Sequence, residues 1–181
     1  MNDLLFTQGQ DNLAGIIGEI YLVPVEDVDT IPALTAASSL VTAGNIVLDA
    51  GKAWSRLYFT DETGKLDLKV VGERDGKGIE AMLSVRYPKL STALFNWVRS
   101  IQNTPCLVAY KMANSGKWYI MGLTQFDVTN TELTADIPVY FDNAEISTGE
   151  KRPDQNGALL SWKFTSIHGP VEYNGTFDLT V

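Results

Sequence analysis

The chain has 181 residues, of which 45% are hydrophobic and 20% are charged, and its formal net charge is −8. These values are typical of a globular protein, and they predict one domain (residues 1–181) with a substantial core. The negative charge argues against binding to a phosphate backbone, the lack of a long apolar run argues against a membrane span, and the single cysteine excludes an intrachain disulfide.

Charge is unevenly distributed along the chain. Residues 1–51 contain seven acidic residues and no Lys or Arg, residues 52–125 carry a net charge of +5, and residues 126–156 carry −5. Solvated faces of one fold explain this pattern, and so do unlike surfaces that meet in an assembly. Residues 1–12 are polar and predict a flexible arm. No secretory leader is recognised, so we expect synthesis in the cytoplasm.

The first half of the chain predicts short β-strands separated by turns. Residues 16–25 are rich in β-branched and aromatic side chains and predict a strand that ends near Pro24. Residues 26–44 have no clear period, which predicts a loop or a short helical turn. Further strands are predicted, with hairpin turns between them, at residues 44–48, 54–60, 66–71 and 79–87.

One amphipathic helix is predicted from about Pro88 to Gln102. Pro88 suits a first helical turn because no hydrogen bond from its nitrogen is needed there. Apolar residues recur at helical spacing along one face, at Leu90, Ala93, Leu94, Trp97, Val98 and Ile101. This face needs a flat partner, so we expect the helix to lie on a β-sheet.

Strand patterns continue after the helix. They lie at residues 106–112 and 117–123, which form a second hairpin, and at residues 137–146, 159–167 and 177–181. About eight to ten short strands with one helix predict a mainly β fold, a β-sandwich or barrel with one flanking amphipathic α-helix and extended hairpins.

No motif in the sequence predicts catalysis. His168 is the only histidine and lies beside the turn residues Gly169 and Pro170, and Cys106 lies in an apolar strand. The glycine-rich turn at 72–78 lacks the strand-to-helix context of a phosphate loop. We therefore predict that the protein is not an enzyme.

Cofactor, metal and sugar sites are not predicted either. The acidic residues of the turns at 61–62 and 73–75 do not have the spacing of a calcium loop. The four tryptophans stand in strand or helix patterns, which favours core packing over a sugar-binding face. We therefore predict no catalytic, cofactor-binding or metal-binding residues.

Three stretches together resemble the tail-tube family of bacteriophage structural proteins, in the divergent form found in phages and prophages of gut Bacteroidetes. They include Ile20-Tyr21-Leu22-Val23-Pro24-Val25, Ser115-Gly116-Lys117-Trp118-Tyr119 and Gly169-Pro170-Val171-Glu172-Tyr173. The order of elements fits over most of the chain. Residues 26–51 depart from the family pattern, since they are longer and more acidic.

The resemblance implies a β-sandwich with one flanking helix and long hairpins, whose rings, typically hexamers, stack into a hollow tube. The same fold serves contractile-injection tubes. The resemblance therefore implies a virion structural protein, assembled in the bacterial host cytoplasm. The protein is expected to assemble with copies of itself and with other tail proteins. Specific nucleic acid binding and membrane association are not expected. We expect the hairpins at 66–87 and 106–123 to contact a neighbouring subunit, through Leu83, Val85, Val108, Tyr110 and Ile120.

Alternative functions remain open at this point. Another phage or prophage structural protein has the same features. A β-sandwich binding module for carbohydrate or a host surface predicts a compact monomer with an exposed aromatic platform. A hydrolase whose site has no recognisable motif is the third alternative. The sequence determines neither ring order nor stacking polarity.

Overall fold

The computed structural model describes residues 13–150 and 156–179. The predicted arm at residues 1–12 lies outside the described residues. A 3₁₀ turn at Val25–Asp27 follows the first strand, and the helix α1 spans Thr92–Ile101. The strands are β1 (Ile16–Pro24), β2 (Val28–Thr30), β3 (Val47–Leu48), β4 (Ser55–Tyr58), β5 (Lys65–Val71), β6 (Gly78–Pro88), β7 (Cys106–Met112), β8 (Trp118–Met121), β9 (Tyr140–Ser147), β10 (Gly157–Ser166) and β11 (Val171–Tyr173).

These strands form three antiparallel sheets. A five-stranded sheet has the order β11-β8-β7-β1-β4, a four-stranded sheet has the order β5-β6-β10-β9, and β2 pairs with β3. Neither large sheet closes on itself, so of the two predicted architectures the protein has the open sandwich and not the barrel. The predicted mainly β class is confirmed. The predicted closing strand at 177–181 is wrong over its described part, because residues 177–179 form no strand.

Strands of the four-stranded sheet run across those of the five-stranded sheet. At one end of β6, the Ile79 side chain lies beside Gly169, which precedes the outer strand β11. At the other end, Arg86 O accepts a hydrogen bond from Thr60 N, just after the opposite outer strand β4. β6 therefore crosses the five-stranded sheet from one edge to the other, as in orthogonal sheet packing.

A continuous apolar core lies between the two sheets. It forms because each strand directs every second side chain to the same side. On β10 the exposed residues Leu159, Lys163 and Thr165 alternate with buried neighbours. The buried residues of this core include Ile20, Leu22, Leu83, Val85, Val108, Tyr110, Met121, Leu160, Trp162 and Phe164.

A second apolar cluster covers the opposite face of the five-stranded sheet. Leu34, Ile46 and Trp54 from the segment between β1 and β4 pack there against Leu107 and Ile120. Backbone bonds hold the segment in place, since Thr42 N donates to Glu172 O on β11. The acidic residues 26–51, which no pattern explained, therefore serve as the cover of this face.

Helix α1 starts four residues later than predicted. Pro88 is the last residue of β6 and pairs with Gly157 on β10. Ser91 is the N-cap, and its Oγ accepts a hydrogen bond from Leu94 N at 3.2 Å. Leu94 is buried, and Trp97, Val98 and Ile101 pack against the core, which confirms the amphipathic helix on a sheet. Ala93, predicted on the same face, is exposed.

A bulge bends β1 near its start. Its register with β7 shifts between Ile17 and Tyr21, and Gly18 has φ +82°. A residue with a side chain is strained at that φ, so the glycine permits the bulge.

Candidate functional site

The five residues predicted to contact a neighbouring subunit lie inside this subunit instead. Leu83, Val85, Val108, Tyr110 and Ile120 all have 0% of their surface exposed. The alternation in the sequence identified the covered face of each strand correctly. The chain covers that face with its own second sheet or with residues 26–51, so these side chains are not available to another subunit.

The two predicted hairpins also differ in their access to a neighbour. β7 and β8 lie between β1 and β11, and β6 lies between β5 and β10. Of these hairpin strands, β5 is the one at the edge of a sheet in the described chain. A strand-to-strand contact through these hairpins is therefore restricted to β5.

β5 carries an apolar row that continues beyond the core. Leu66, Leu68 and Val70 lie opposite Leu83, Ala81 and Ile79 on β6, so they face the core side of the sheet. Leu66 packs against the core, but Leu68 is 51% exposed and Val70 is 70% exposed. An edge strand with exposed apolar side chains is a template for pairing with another chain.

β9 is the opposite edge of the same sheet. It pairs with β10, and within the described residues no strand pairs with its other side. Tyr140 and Ile146 on β9 are exposed. Since three antiparallel pairings connect the two edges, β5 and β9 run in opposite directions.

The outer face of the four-stranded sheet is balanced in charge. Lys65 Nζ lies 2.8 Å from Asp67, and Lys163 Nζ lies 2.7 Å from Glu80. The hydrogen bond with Glu80 raises the pKa of Lys163. Register assigns four basic and three acidic residues to this face: Lys65, Lys69, Arg86, Lys163, Asp67, Glu80 and Glu145. Asp142, at the register shift of β9, interacts electrostatically with Lys163 and is the fourth acidic residue.

His168 joins two loops through its ring. Its Nε2 accepts a hydrogen bond from Gln125 N at 2.9 Å, so the proton is on Nδ1, which donates to Gly169 O at 2.8 Å. Burial lowers the pKa of His168, and the bond to Gly169 opposes this shift. Both ring nitrogens are engaged with backbone atoms, an arrangement that anchors the loops and offers no nitrogen to a nucleophile.

Cys106 is a buried thiol at the start of β7. Its Sγ donates to Thr104 O at 3.3 Å, and burial raises its pKa to about 11. The thiolate is the reactive form of cysteine, so this side chain is an unreactive core residue at neutral pH.

Acidic side chains are not gathered into a metal site in the part of the chain that the structure describes, where no group of three possible ligands is found. Asp127 instead shapes its own loop. Its Oδ1 accepts hydrogen bonds from Thr129 N at 2.8 Å and from Thr129 Oγ1 at 2.7 Å, and these bonds lower its pKa.

The tryptophans do not form an exposed platform. Trp54 and Trp162 are buried, Trp97 packs edge to face on Trp162, and Trp118 stacks on Tyr21 with ring centroids 4.8 Å apart. These positions agree with the predicted core packing and give the carbohydrate-binding alternative no support.

Sequence reasoning missed the exposed apolar side chains Phe126 and Val128 in the loop at residues 125–130, which we call the Phe126 loop. Gln125 Nε2 donates to Ala37 O at 3.1 Å and to Asn130 O at 2.7 Å, so the loop is held at its base. Phe126 and Val128 nevertheless remain 54% and 69% exposed. The sequence signal for this exposed apolar surface was the presence of two large apolar residues in an otherwise polar stretch.

Two of the open cavities among the described residues are relevant to surface contacts. One, of about 660 Å³, lies between residues 25–33 and 130–135. The other, of about 290 Å³, lies between β4 and α1, and we call it the α1 cavity. Apolar and aromatic side chains line most of the α1 cavity, and Arg56 stands in its wall.

Helices long and apolar enough to cross a bilayer are not found among residues 13–150 and 156–179. No protein-family model, curated protein or solved structure matches the chain at a significant level.

Proposed function

We propose that this protein is a virion structural subunit of the tail-tube type, which assembles with copies of itself into rings that stack into a tube. The sequence resemblance motivates the proposal. The mainly β fold with one flanking helix agrees with it. The observation that carries it is the four-stranded sheet, whose two edges are unpaired within residues 13–150 and 156–179 and one of which has Leu68 and Val70 exposed.

Free sheet edges expose unpaired backbone N–H and C=O groups. When β5 of one copy pairs with β9 of the next, both edges are satisfied and the exposed apolar row gains a cover. Such a contact joins two different patches, so it is heterologous, and heterologous contacts close into rings when the rotation permits.

The strand directions support this pairing. β5 and β9 are antiparallel within one subunit. A copy related by rotation about a ring axis therefore brings its β9 antiparallel to the first copy's β5. The sheet then continues across the contact with strand directions that still alternate. Antiparallel ladders form perpendicular hydrogen bonds and need no crossover between the strands.

The charge-balanced outer face of the sheet suits the inner wall of a tube. A basic wall retains DNA, because each Lys or Arg that contacts a phosphate releases counterions and adds affinity. Four acidic side chains offset the four basic ones on this face, and two of the pairs are within ion-pair distance. The proposed lumen is therefore neutral, and it passes a polyanion without binding it.

Electron microscopy of the purified protein over a range of concentrations tests the proposal. We expect rings with a central channel at high concentration, and stacks of rings under conditions that favour association. Dispersed monomers at all concentrations would contradict the proposal and favour a monomeric binding module.

A further inference from the structure

We infer that neighbouring rings are joined by Phe126 of one copy, which inserts into the α1 cavity of a copy in the next ring. The inference rests on the proposed function, because it names the contact through which the rings stack. Its occupant is a second copy of this chain.

The Phe126 loop presents its apolar side chains from a fixed backbone. His168 Nε2 holds Gln125 N, the Gln125 side chain bonds to Asn130 O across the loop, and Asp127 caps Thr129. Little conformational entropy is left to lose when such a loop binds, so Phe126 is suited to anchor an interface.

The α1 cavity has the size and lining to receive one aromatic side chain. Its volume of about 290 Å³ lies below the roughly 300–1,000 Å³ of small-molecule sites. Tyr58, Tyr87 and Trp97 form part of its wall, and the exposed residue Ala93 stands at its edge. Aromatic rings that meet edge to face or offset in such a pocket gain stability beyond that from buried area.

Loop and cavity lie at opposite ends of the strands of the four-stranded sheet. Phe126 follows Gln125, which is bonded to His168 on the β11 side, and the cavity lies against β4 on the other side. β6 runs between these two sides. If the sheet continues sideways through β5 and β9, its strand ends face the rings above and below, and so do the loop and the cavity.

Charge complementarity favours the same pairing. Residues 126–136 contain Asp127, Glu132 and Asp136 and no basic residue. Arg56 in the cavity wall is 58% exposed, and the distance of 3.9 Å to Glu19 makes that ion pair a loose one. Since acidic and basic surfaces attract each other, the contact has a preferred partner and a preferred orientation.

Three variants test the inference, all at exposed positions that leave the core unchanged. Phe126→Ala removes the inserted side chain, and Ala93→Trp fills the cavity from its edge. Phe95→Ala is the matched control, because Phe95 is an exposed aromatic residue on α1 that does not line the cavity. Stacks and single rings are counted by electron microscopy, and stacking is followed by light scattering.

We expect Phe126→Ala and Ala93→Trp each to form single rings and to require at least about tenfold more protein to stack. Phe95→Ala is expected to stack like the unmodified chain. When preassembled rings of the two stacking-deficient variants are mixed, they should form pairs of rings. Stacks of three or more rings should not form. One variant supplies intact cavities and the other intact Phe126 side chains, so one interface can form between two such rings and no third ring can be added.

Normal stacking of either variant, or no pairing in the mixture, would overturn the inference while the rings and the proposed function stand. An unmodified chain that forms no ring would overturn both. Single rings of both variants together with ring pairs in the mixture would support the inference.

Discussion

His168 Nε2 and the backbone N–H of Gln125 form a hydrogen bond of 2.9 Å that joins the turn before β11 to the Phe126 loop. The bond requires an unprotonated Nε2. It also connects residues that are 43 positions apart in the sequence. The conformation of an exposed surface loop therefore depends on the protonation state of the chain's one histidine.

Stability is expected to fall as the pH drops below the usual histidine range. Burial lowers the pKa of His168 from 6.5, so the unfolded chain binds the proton more readily than the folded one. The contribution of neutral His168 to the free energy of unfolding is fully present above about pH 6.5. This contribution is lost as the pH falls below that value. Urea unfolding of the unmodified chain and of His168→Asn between pH 5 and 8 measures this difference. Equal pH slopes would contradict it.

Assembly is expected to depend on the apolar row of β5. Val70→Lys places a charge on the core side of the edge strand, where a pairing strand would have to bury it. We expect the concentration needed for ring formation to rise by about tenfold, or about 1.4 kcal/mol. Val71→Lys, on the outer side of the same strand, is the control. Light scattering measures assembly, and circular dichroism verifies the fold. Equal effects of the two lysines would contradict the role of the β5 edge.

Tyr110→Phe is expected to stabilise the fold. The Tyr110 hydroxyl is buried without a hydrogen-bond partner among the described residues, so removing it relieves an unsatisfied group. The expected gain in the free energy of unfolding is about 1 kcal/mol.

Tyr173→Phe is the matched control for Tyr110→Phe. Its hydroxyl donates to Thr176 O at 2.9 Å and accepts from Ile46 N at 3.1 Å, so the substitution is expected to destabilise by about 1 kcal/mol. Denaturant titrations of both variants measure the sign of each change in the free energy of unfolding. A loss of stability in Tyr110→Phe would mean that its hydroxyl has a partner.

Salt is expected to separate stacking from ring formation. The Debye length falls from about 10 Å at 0.1 M salt to about 3 Å at 1 M, which weakens attraction between exposed charges such as Asp127 and Arg56. Backbone pairing of β5 with β9 and burial of Val70 depend much less on salt. Sedimentation should show a smaller fraction of stacked rings at 1 M salt than at 0.1 M, with the fraction of chains in rings unchanged, because the burial of Phe126 remains when the charge attraction weakens. Stacks that fall directly to monomers at 1 M salt, with no single rings, would contradict this order.

The sequence by itself determined most of the elements, because strand and helix periodicities are local. Alternation predicted β5, β6, β7 and β10 within one or two residues, and the apolar stripe predicted α1. The start of the helix was misplaced at Pro88, since proline is suitable both for a first helical turn and for the end of a strand. The pairing of Pro88 with Gly157, a distant residue, decides between the two.

Only the tertiary structure decided which apolar rows are covered. Leu83 and Val70 belong to the same kind of alternating pattern on paired strands, but Leu83 is buried in the core and Val70 is exposed at the sheet edge. An alternating pattern states which side chains share a face, but it carries no information about what lies opposite that face. Strand order and the crossing of the two sheets supply that information, and both depend on contacts between residues far apart in the chain.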